Sequence, residues 1–524
     1  MVCLLKVLRF VLCRKGGERM SAHILASAFV ELLTPSVVLY LAIGVLLGTM
    51  IGALPGLSAT MGVALITPIT FWLDKVDGFA MLMGLWNAAI FAGGITAILI
   101  NTPGTPASIT QAWDGYPLYK EGKGGLALGI NVVFSFIGGM ISIILLILLA
   151  DPIAKITIKF GPAEYAMVAL FGMTMMIAVS NGKVLKGIML GFLGLLLSTV
   201  GLCPISGLQR FTFGSIQLQS GINFIPVMIG LLGLGEVFFQ VYEYNEEKAK
   251  AEMEARKVSQ SLGRVLPSLS EMKKWTPRCV LAGIAATIIG AIPAAGGDIS
   301  AIICWGNSKR FSKEGEKYGH GSAEGLAVSS SANNGVIGGA MCTMLTLGIP
   351  GDAVTAVLLG SLMMYGMTPG HAMFNEQIGF TAQIMVLMIF ANLAFLVIGL
   401  GTAKISAKLL NMSQPTVWAA VGVLCIVGSY CINNSFLDVV VMFIMVILGF
   451  FLKVYDFPSG PLVLGLLLGS TVEKNVRTAL VISRGDVSCF VTRPISLILL
   501  ILIIASFLVP IIQTTIKKNK ARKA

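Results

Sequence analysis

The feature that most constrains this chain is a series of apolar runs of bilayer length, several of them broken inside by proline, glycine and hydroxyl side chains. Such runs occupy Ala127–Ala150, Met167–Val179, Val184–Leu202, Ile222–Val241, Thr381–Leu400 and Ile495–Ile512, and roughly 20 apolar residues make one helical crossing. Only 12% of the residues are charged, against about 25% in soluble domains, which is too few to cover a large water-soluble α-domain. Nothing alternates with period two, as the strands of a membrane barrel do. Lipid obliges the backbone to satisfy its own hydrogen bonds. The chain is therefore expected to be an all-α polytopic membrane protein. With short and interrupted spans allowed for, about a dozen transmembrane segments are expected.

The net charge of +12 is not a nucleic-acid footprint. Much of it sits at the two ends, in Lys6, Arg9, Arg14, Lys15 and Arg19 and in Lys517, Lys518, Lys520, Arg522 and Lys523. Basic segments flanking membrane spans stay on the cytoplasmic side, so both termini are expected there. The opening residues leave Met1 and Met20 equally open as the start. Between the tails, Tyr242–Arg278 is hydrophilic, mixed in charge and interrupted by Pro267. The expected organisation is a basic extension (1–26), a first membrane half (27–241), a cytoplasmic linker (242–278), a second membrane half (279–513) and a basic tail (514–524).

The halves carry a repeat. Gly52-Ala-Leu-Pro-Gly56 recurs as Gly290-Ala-Ile-Pro-Ala294, each at the end of an apolar run. Asn87–Gly104 aligns without a gap on Asn334–Gly351, so that Asn87 meets Asn334, Thr96 meets Thr343, and Pro103-Gly104 meets Pro350-Gly351. Parallel and inverted repeats read alike in sequence. Broken apolar segments at corresponding places in two halves are the sequence mark of a transporter binding site.

Four breaks stand out: Pro55–Thr60, Asn101–Thr110, Pro293–Ser300 and Gly348–Thr355. A proline removes a backbone donor and clashes with the preceding turn, and irregular backbone at membrane depth survives only where protein or water covers it. A half-helix that begins after such a break turns its free N–H groups and positive dipole end toward the break, which suits a carboxylate. Freed carbonyls suit sodium. Close helix packing by small residues is the competing explanation. The candidate substrate and ion residues are Pro55, Gly56, Ser58, Asn101, Thr102, Pro103, Gly104 and Thr105 in the first half. In the second they are Asp298, Ser330, Asn333, Asn334, Thr346, Pro350, Gly351 and Asp352. No metal is assigned beyond sodium ligands among these, and no cofactor beyond a coupling ion, sodium or proton. Asp298, Asp352 and Glu324 are acids near the breaks, and ionisable groups in membrane segments default to functional candidates. Glu324 reads equally well as an interface residue, and His320 as a solvated loop histidine. Asp114-Gly115-Tyr116-Pro117 reads as a turn with Asp114 as its cap.

An enzyme is not expected, for the chain has no P-loop, no HExxH and no nucleophile elbow. Nine cysteines are scattered without a CxxC spacing, which indicates neither a zinc site nor a disulfide framework.

Four longer stretches have a family character: GALPGLSATMGVALITP (52–68), GGITAILINTPGTPASITQAWDGYPLYKEGK (93–123), RFTFG (210–214) and SANNGVIGGAMCTMLTLGIPGDAVTAVLLGSLMMYGMTPG (331–370). They closely resemble the large membrane subunit of the tripartite tricarboxylate transporters, the TctA family, over a span from about Leu32 to the C-terminus. The resemblance implies a multi-pass protein of the bacterial inner membrane. It also implies two partners, a small membrane subunit and a periplasmic solute-binding protein, and import of small carboxylates on a sodium or proton gradient without ATP. By analogy it suggests an elevator-type plan. The motif residues carried over are Pro55, Gly56, Asn101, Thr102, Pro103, Gly104, Thr105 and Pro106, then Asn333, Asn334, Thr346, Pro350 and Gly351. This chain departs from the family pattern in three places. Ser329 and Ser330 stand where a Pro-Glu pair is common, Cys203 stands where an Asp is common, and Asp298 stands at a usually small or hydroxyl position. Asp298 is the candidate replacement for the acid missing at 330. A non-carboxylate cargo, and the membrane part of a sensing complex, remain as alternatives.

Overall fold

The structure, a computed structural model, describes residues 22–54, 57–157, 159–179, 184–203, 206–244, 263–293, 296–409 and 414–505. Helices dominate, and the strands among the described residues are the two-residue pair β1 (Gly201–Leu202) and β2 (Gln209–Arg210), antiparallel with Gly201 opposite Arg210. Among the described residues, seven helical segments are long and apolar enough to cross a membrane, and four shorter apolar helices, Ala59–Thr70, Val184–Ser198, Ala353–Met364 and Pro494–Ala505, accompany them. The expected all-α polytopic class is what is observed.

In chain order the first half holds α1 (Ala22–Glu31), α2 (Pro35–Gly52), α3 (Ala59–Thr70), α4 (Lys75–Ile100), a 3-10 turn (Pro106–Ser108), α5 (Ile109–Leu118), α6 (Gly124–Thr157), α7 (Pro162–Val179), α8 (Val184–Ser198), α9 (Phe224–Met228) and α10 (Gly235–Glu243). From 263 onward come α11 (Leu269–Gly290), which begins inside the stretch expected as a linker, then α12 (Gly296–Phe311), α13 (Ala323–Gly335), α14 (Ile337–Leu347), α15 (Ala353–Met364), α16 (His371–Asn375), α17 (Ile378–Leu409), α18 (Gln414–Asn433), α19 (Phe436–Val454), α20 (Gly460–Ile482), α21 (Cys489–Thr492) and α22 (Pro494–Ala505). The contacts define two compact units. One comprises 1–154, 240–292 and 296–424; the other comprises 155–239, 293–295 and 425–524.

Apart from 293–295, the repeat lies within the first of these units, and several of its contacts recur at corresponding positions. Thr49 donates its hydroxyl to Val45 O (2.8 Å), and Thr287 donates its own to Gly283 O (2.8 Å). Gly52 has no room for a Cβ, which would stand 2.3 Å from Ala89 O; at Gly290 it would stand 2.5 Å from Val336 O. Helix α2 thus corresponds to α11, α3 to α12, α4 to α13 with α14, and α5 to α15.

Contacts across the repeat settle its sense. Ile98 and Leu326 both flank Gly115, Asn333 Nδ2 donates to Ile90 O (3.1 Å), and Asn334 Nδ2 donates to Asn87 O (3.3 Å). Residue numbers fall along α4 as they rise along α13. Equivalent helices therefore pass in opposite directions, and the repeat is inverted. The contacts are also reciprocal: Thr67 meets Ser361 by their hydroxyls (3.3 Å), and Trp305, the counterpart of Thr67, meets Asp114, the counterpart of Ser361 (2.7 Å).

Candidate functional site

The breaks after Ile100 and after Leu347 are built the same way. Helix α4 ends at Asn101, which takes a left-handed conformation (φ 56°), and α14 ends at its repeat partner Gly348 (φ 70°). Asparagine and glycine are the residues that adopt this conformation at a helix C-terminus. The chain then doubles back. The Gly104 N–H donates to Gly93 O (3.1 Å), and a Cβ on Gly104 would come within 2.6 Å of Gly52 O. A Cβ on Gly351 would stand 2.5 Å from Ala340 Cα and 2.8 Å from Gly290 O. Both glycines are required by close backbone approach.

The two half-sites differ in charge at the next residue. In the second half Asp352 caps α15: its Oδ1 accepts from Thr355 N (2.7 Å) and Thr355 Oγ1 (2.6 Å), and its own N–H donates to Thr355 Oγ1 (2.9 Å). In the first half the equivalent pair is Thr105 and Ser108. Thr105 N donates to Ser108 Oγ (3.2 Å), and Ser108 Oγ donates to Thr105 O (2.7 Å). The turn is the same, but the carboxylate is replaced by a neutral hydroxyl, and Thr105 Oγ1 has no hydrogen-bond partner among the described residues.

Ser330 is fully buried and belongs to a neutral polar cluster. Gln111 Nε2 donates to Asn131 Oδ1 (3.0 Å) and to Ser330 Oγ (3.2 Å), while Ser135 Oγ donates to Ser330 O (3.3 Å). Gly94 makes room for it, since a Cβ there would stand 2.4 Å from Gln111 Oε1. Gln111 Oε1, Asn87 Oδ1 and Asn334 Oδ1 are buried amide oxygens that accept no hydrogen bond within the described residues. Leaving such a group unpaired costs about 1–3 kcal/mol, so each has a use for a donor or a cation.

The remaining candidates fall into place as follows. Ser58 caps α3, accepting from Met61 N (3.1 Å). Thr102 is exposed and donates to Ile100 O (3.3 Å). Pro103 is half-buried, and Pro350 and Gly351 are buried. Asn333 and Asn334 lie at the crossing of α4 and α13, away from the breaks. The Thr346 hydroxyl is taken up inside its own helix by Cys342 O (2.6 Å). Pro55, Gly56 and the side chain of Asp298 lie outside the described residues.

Sequence reasoning missed Gln111, Asn131 and Ser135: Gln111 follows the break at 101–110 directly, and Asn131 and Ser135 stand four apart, on one helix face, in an otherwise apolar run. It also misread Asp114. No turn forms at 114–117: Asp114 is inside α5 and fully buried. Its Oδ2 accepts from Trp305 Nε1 (2.7 Å), and its Oδ1 accepts from Gly319 N (2.8 Å) and Ser322 N (2.9 Å). The acid does cap a helix, but the distant α13, whose N-cap is Ser322. Glu324 is likewise buried, accepting from Ser312 Oγ (2.5 Å) and Tyr318 Oη (2.9 Å), with Arg278 Nε at 3.3 Å.

An all-helical membrane protein with inverted repeats and paired breaks is the architecture of a transporter subunit. The family model described as the tripartite tricarboxylate transporter TctA family matches residues 38–464, and the chain belongs to that family. Its members are transporter membrane subunits, so the protein is not an enzyme. The chain is 34% identical over 495 residues to an uncharacterized 52.8 kDa protein in the TAR-I ttuC' 3' region of Agrobacterium vitis, covering 94% of this chain and 97% of that protein. It is 33% identical over 214 residues to an uncharacterized protein in the TAR-II ttuC' 3' region of the same organism, covering 41% of this chain and 88% of that one. No solved structure matches.

Proposed function

We propose that the chain is the permease subunit of a binding-protein-dependent secondary transporter of the bacterial inner membrane. It imports small organic carboxylates of the citrate kind, driven by a sodium or proton gradient. Its partners in this reading are a small membrane subunit and a periplasmic solute-binding protein.

The observation that carries the reading is the pair of inverted breaks with unlike chemistry. The helix start after Gly351 is already neutralised by Asp352. The one after Gly104 carries the neutral hydroxyls of Thr105 and Ser108 in place of an acid, with Thr105 Oγ1 unpaired among the described residues, so the positive helix start favours an anionic substrate there. The neutral oxygens of the Gln111–Asn131–Ser330 cluster and of Asn87 and Asn334 suit a small cation that prefers oxygen ligands.

The test is uptake of labelled citrate and other carboxylates into proteoliposomes holding this chain, its small partner and the binding protein, with sodium and proton gradients imposed separately. Saturable uptake driven by one gradient is expected and identifies the ion. Uptake of no carboxylate by folded protein would overturn the reading.

A further inference from the structure

The hairpin β1–β2 and the turn after it spend backbone energy to present apolar side chains. Phe211 and Phe213 both lie in the left-handed region (φ 52° and 47°), at a cost on the order of 1–3 kcal/mol each. The result is that Thr212 between them is buried, while Phe213 is 89% exposed, with Ile216 at 81% and Leu208 at 68% beside it. The base of the hairpin is pinned. Arg210 Nη1 and Nη2 donate to the two oxygens of Glu473 (2.6 and 3.0 Å), and Arg477 also holds Glu473 (3.0 Å).

Connectivity gives the side of the membrane. The segment Phe224–Glu243 is long and apolar enough to cross. One end leaves this hairpin, and the other enters the stretch 244–278 with its eight lysines and arginines (248, 250, 256, 257, 264, 273, 274 and 278). Between 199 and 223 the only charge is Arg210, which is paired. Basic loops stay in the cytoplasm, so the hairpin stands on the opposite face. A two-stranded sheet has unpaired outer edges, which hydrocarbon does not tolerate. The hairpin therefore lies at the headgroup level or beyond it. With its one charge neutralised it offers nothing to anionic headgroups. An exposed aromatic turn held next to a pinned ion pair is the form of a protein–protein anchor.

We propose that the turn following this hairpin, with Phe213 exposed in it, is the docking finger for the soluble solute-binding protein on the extracytoplasmic face. The assignment rests on the carrier reading above. The test uses the full chain with its small partner in nanodiscs, and as probe the purified solute-binding protein of the carrier reading. Phe213→Ala is expected to weaken binding ten-fold or more. Phe213→Cys is expected to react with a membrane-impermeant maleimide from outside, over the blank set by the native cysteines, and to be shielded by the binding protein. Unchanged binding by Phe213→Ala, labelling from the cytoplasmic side only, undiminished labelling under saturating binding protein, or a disulfide-linked dimer of two copies would each overturn it. If the unaltered chain binds no solute-binding protein, the carrier reading falls with it. If it binds and the Phe213 variants bind equally, only the docking assignment falls.

Discussion

Thr105 and Asp352 occupy the same place in the two repeats, and the difference between a hydroxyl and a carboxylate there sets what each helix start can hold. Thr105→Asp is expected to raise the half-saturation concentration for a carboxylate at least about ten-fold, or ~1.4 kcal/mol, with the protein still folded; uptake kinetics read it directly. Asp352→Asn keeps a good N-cap and is expected to leave folding and ion dependence nearly unchanged. Asp352→Ala loses the cap and should cost about 1 kcal/mol in thermal stability. A sharp loss of ion affinity in Asp352→Asn would return this acid to the role of ligand.

Among the elements, α5 is the strut. Asp114 joins it to Trp305 on α12 and to the start of α13, and all three donors are buried or partly buried with it. Asp114→Ala strands them, at about 1–3 kcal/mol for each donor left buried without a partner, and loss of monodisperse protein in detergent is expected. Asp114→Asn keeps the carbonyl for the two backbone donors and should be milder, with the Trp305 fluorescence shifted. The start of α11 is held by electrostatics instead. Glu271 is held below the ordinary 4.5 by the Ser268 backbone N–H first, and further by the Ser268 hydroxyl and Arg264. Glu314 is held down chiefly by Lys274, at 2.5 Å. A depressed carboxylate contributes stability above its unfolded value and loses it as pH falls through the folded one. Proteolytic protection of the linker end is therefore expected to be flat from pH 7 to about 5 and to fall below about 4.5.

At the scale of the whole molecule, the inverted repeat places equivalent loops on opposite faces. Trp72 follows α3, and Arg310 sits at its counterpart on α12; both are exposed. The stretch after Arg310 carries Lys313 and Lys317, in keeping with a cytoplasmic face, and Lys274 of the first turns of α11 reaches Glu314 there. Single cysteines, Trp72→Cys and Arg310→Cys, are expected to label from outside and inside respectively. Labelling of both from one face would require a parallel repeat.

Class, repeat and break positions were legible in the sequence, because hydrophobic length and the Pro/Gly punctuation at 101–106 and 348–351 are local properties that any lipid-embedded backbone must obey. The sense of the repeat was not, since antiparallel passage shows only when Asn87 meets Asn334 and Ile90 meets Asn333. The role of Asp114 was hidden for the same reason: Asp-Gly-Tyr-Pro has the local chemistry of a turn, and only partners some 190 to 208 positions away make it a buried acceptor inside a helix. Gln111, Asn131 and Ser330 became a cluster only by packing. By itself the sequence determined that this chain lies in a membrane as helices and where those helices break. Tertiary structure decided which polar atoms meet, because residues so far apart along the chain share an environment only once α4 and α13 have crossed.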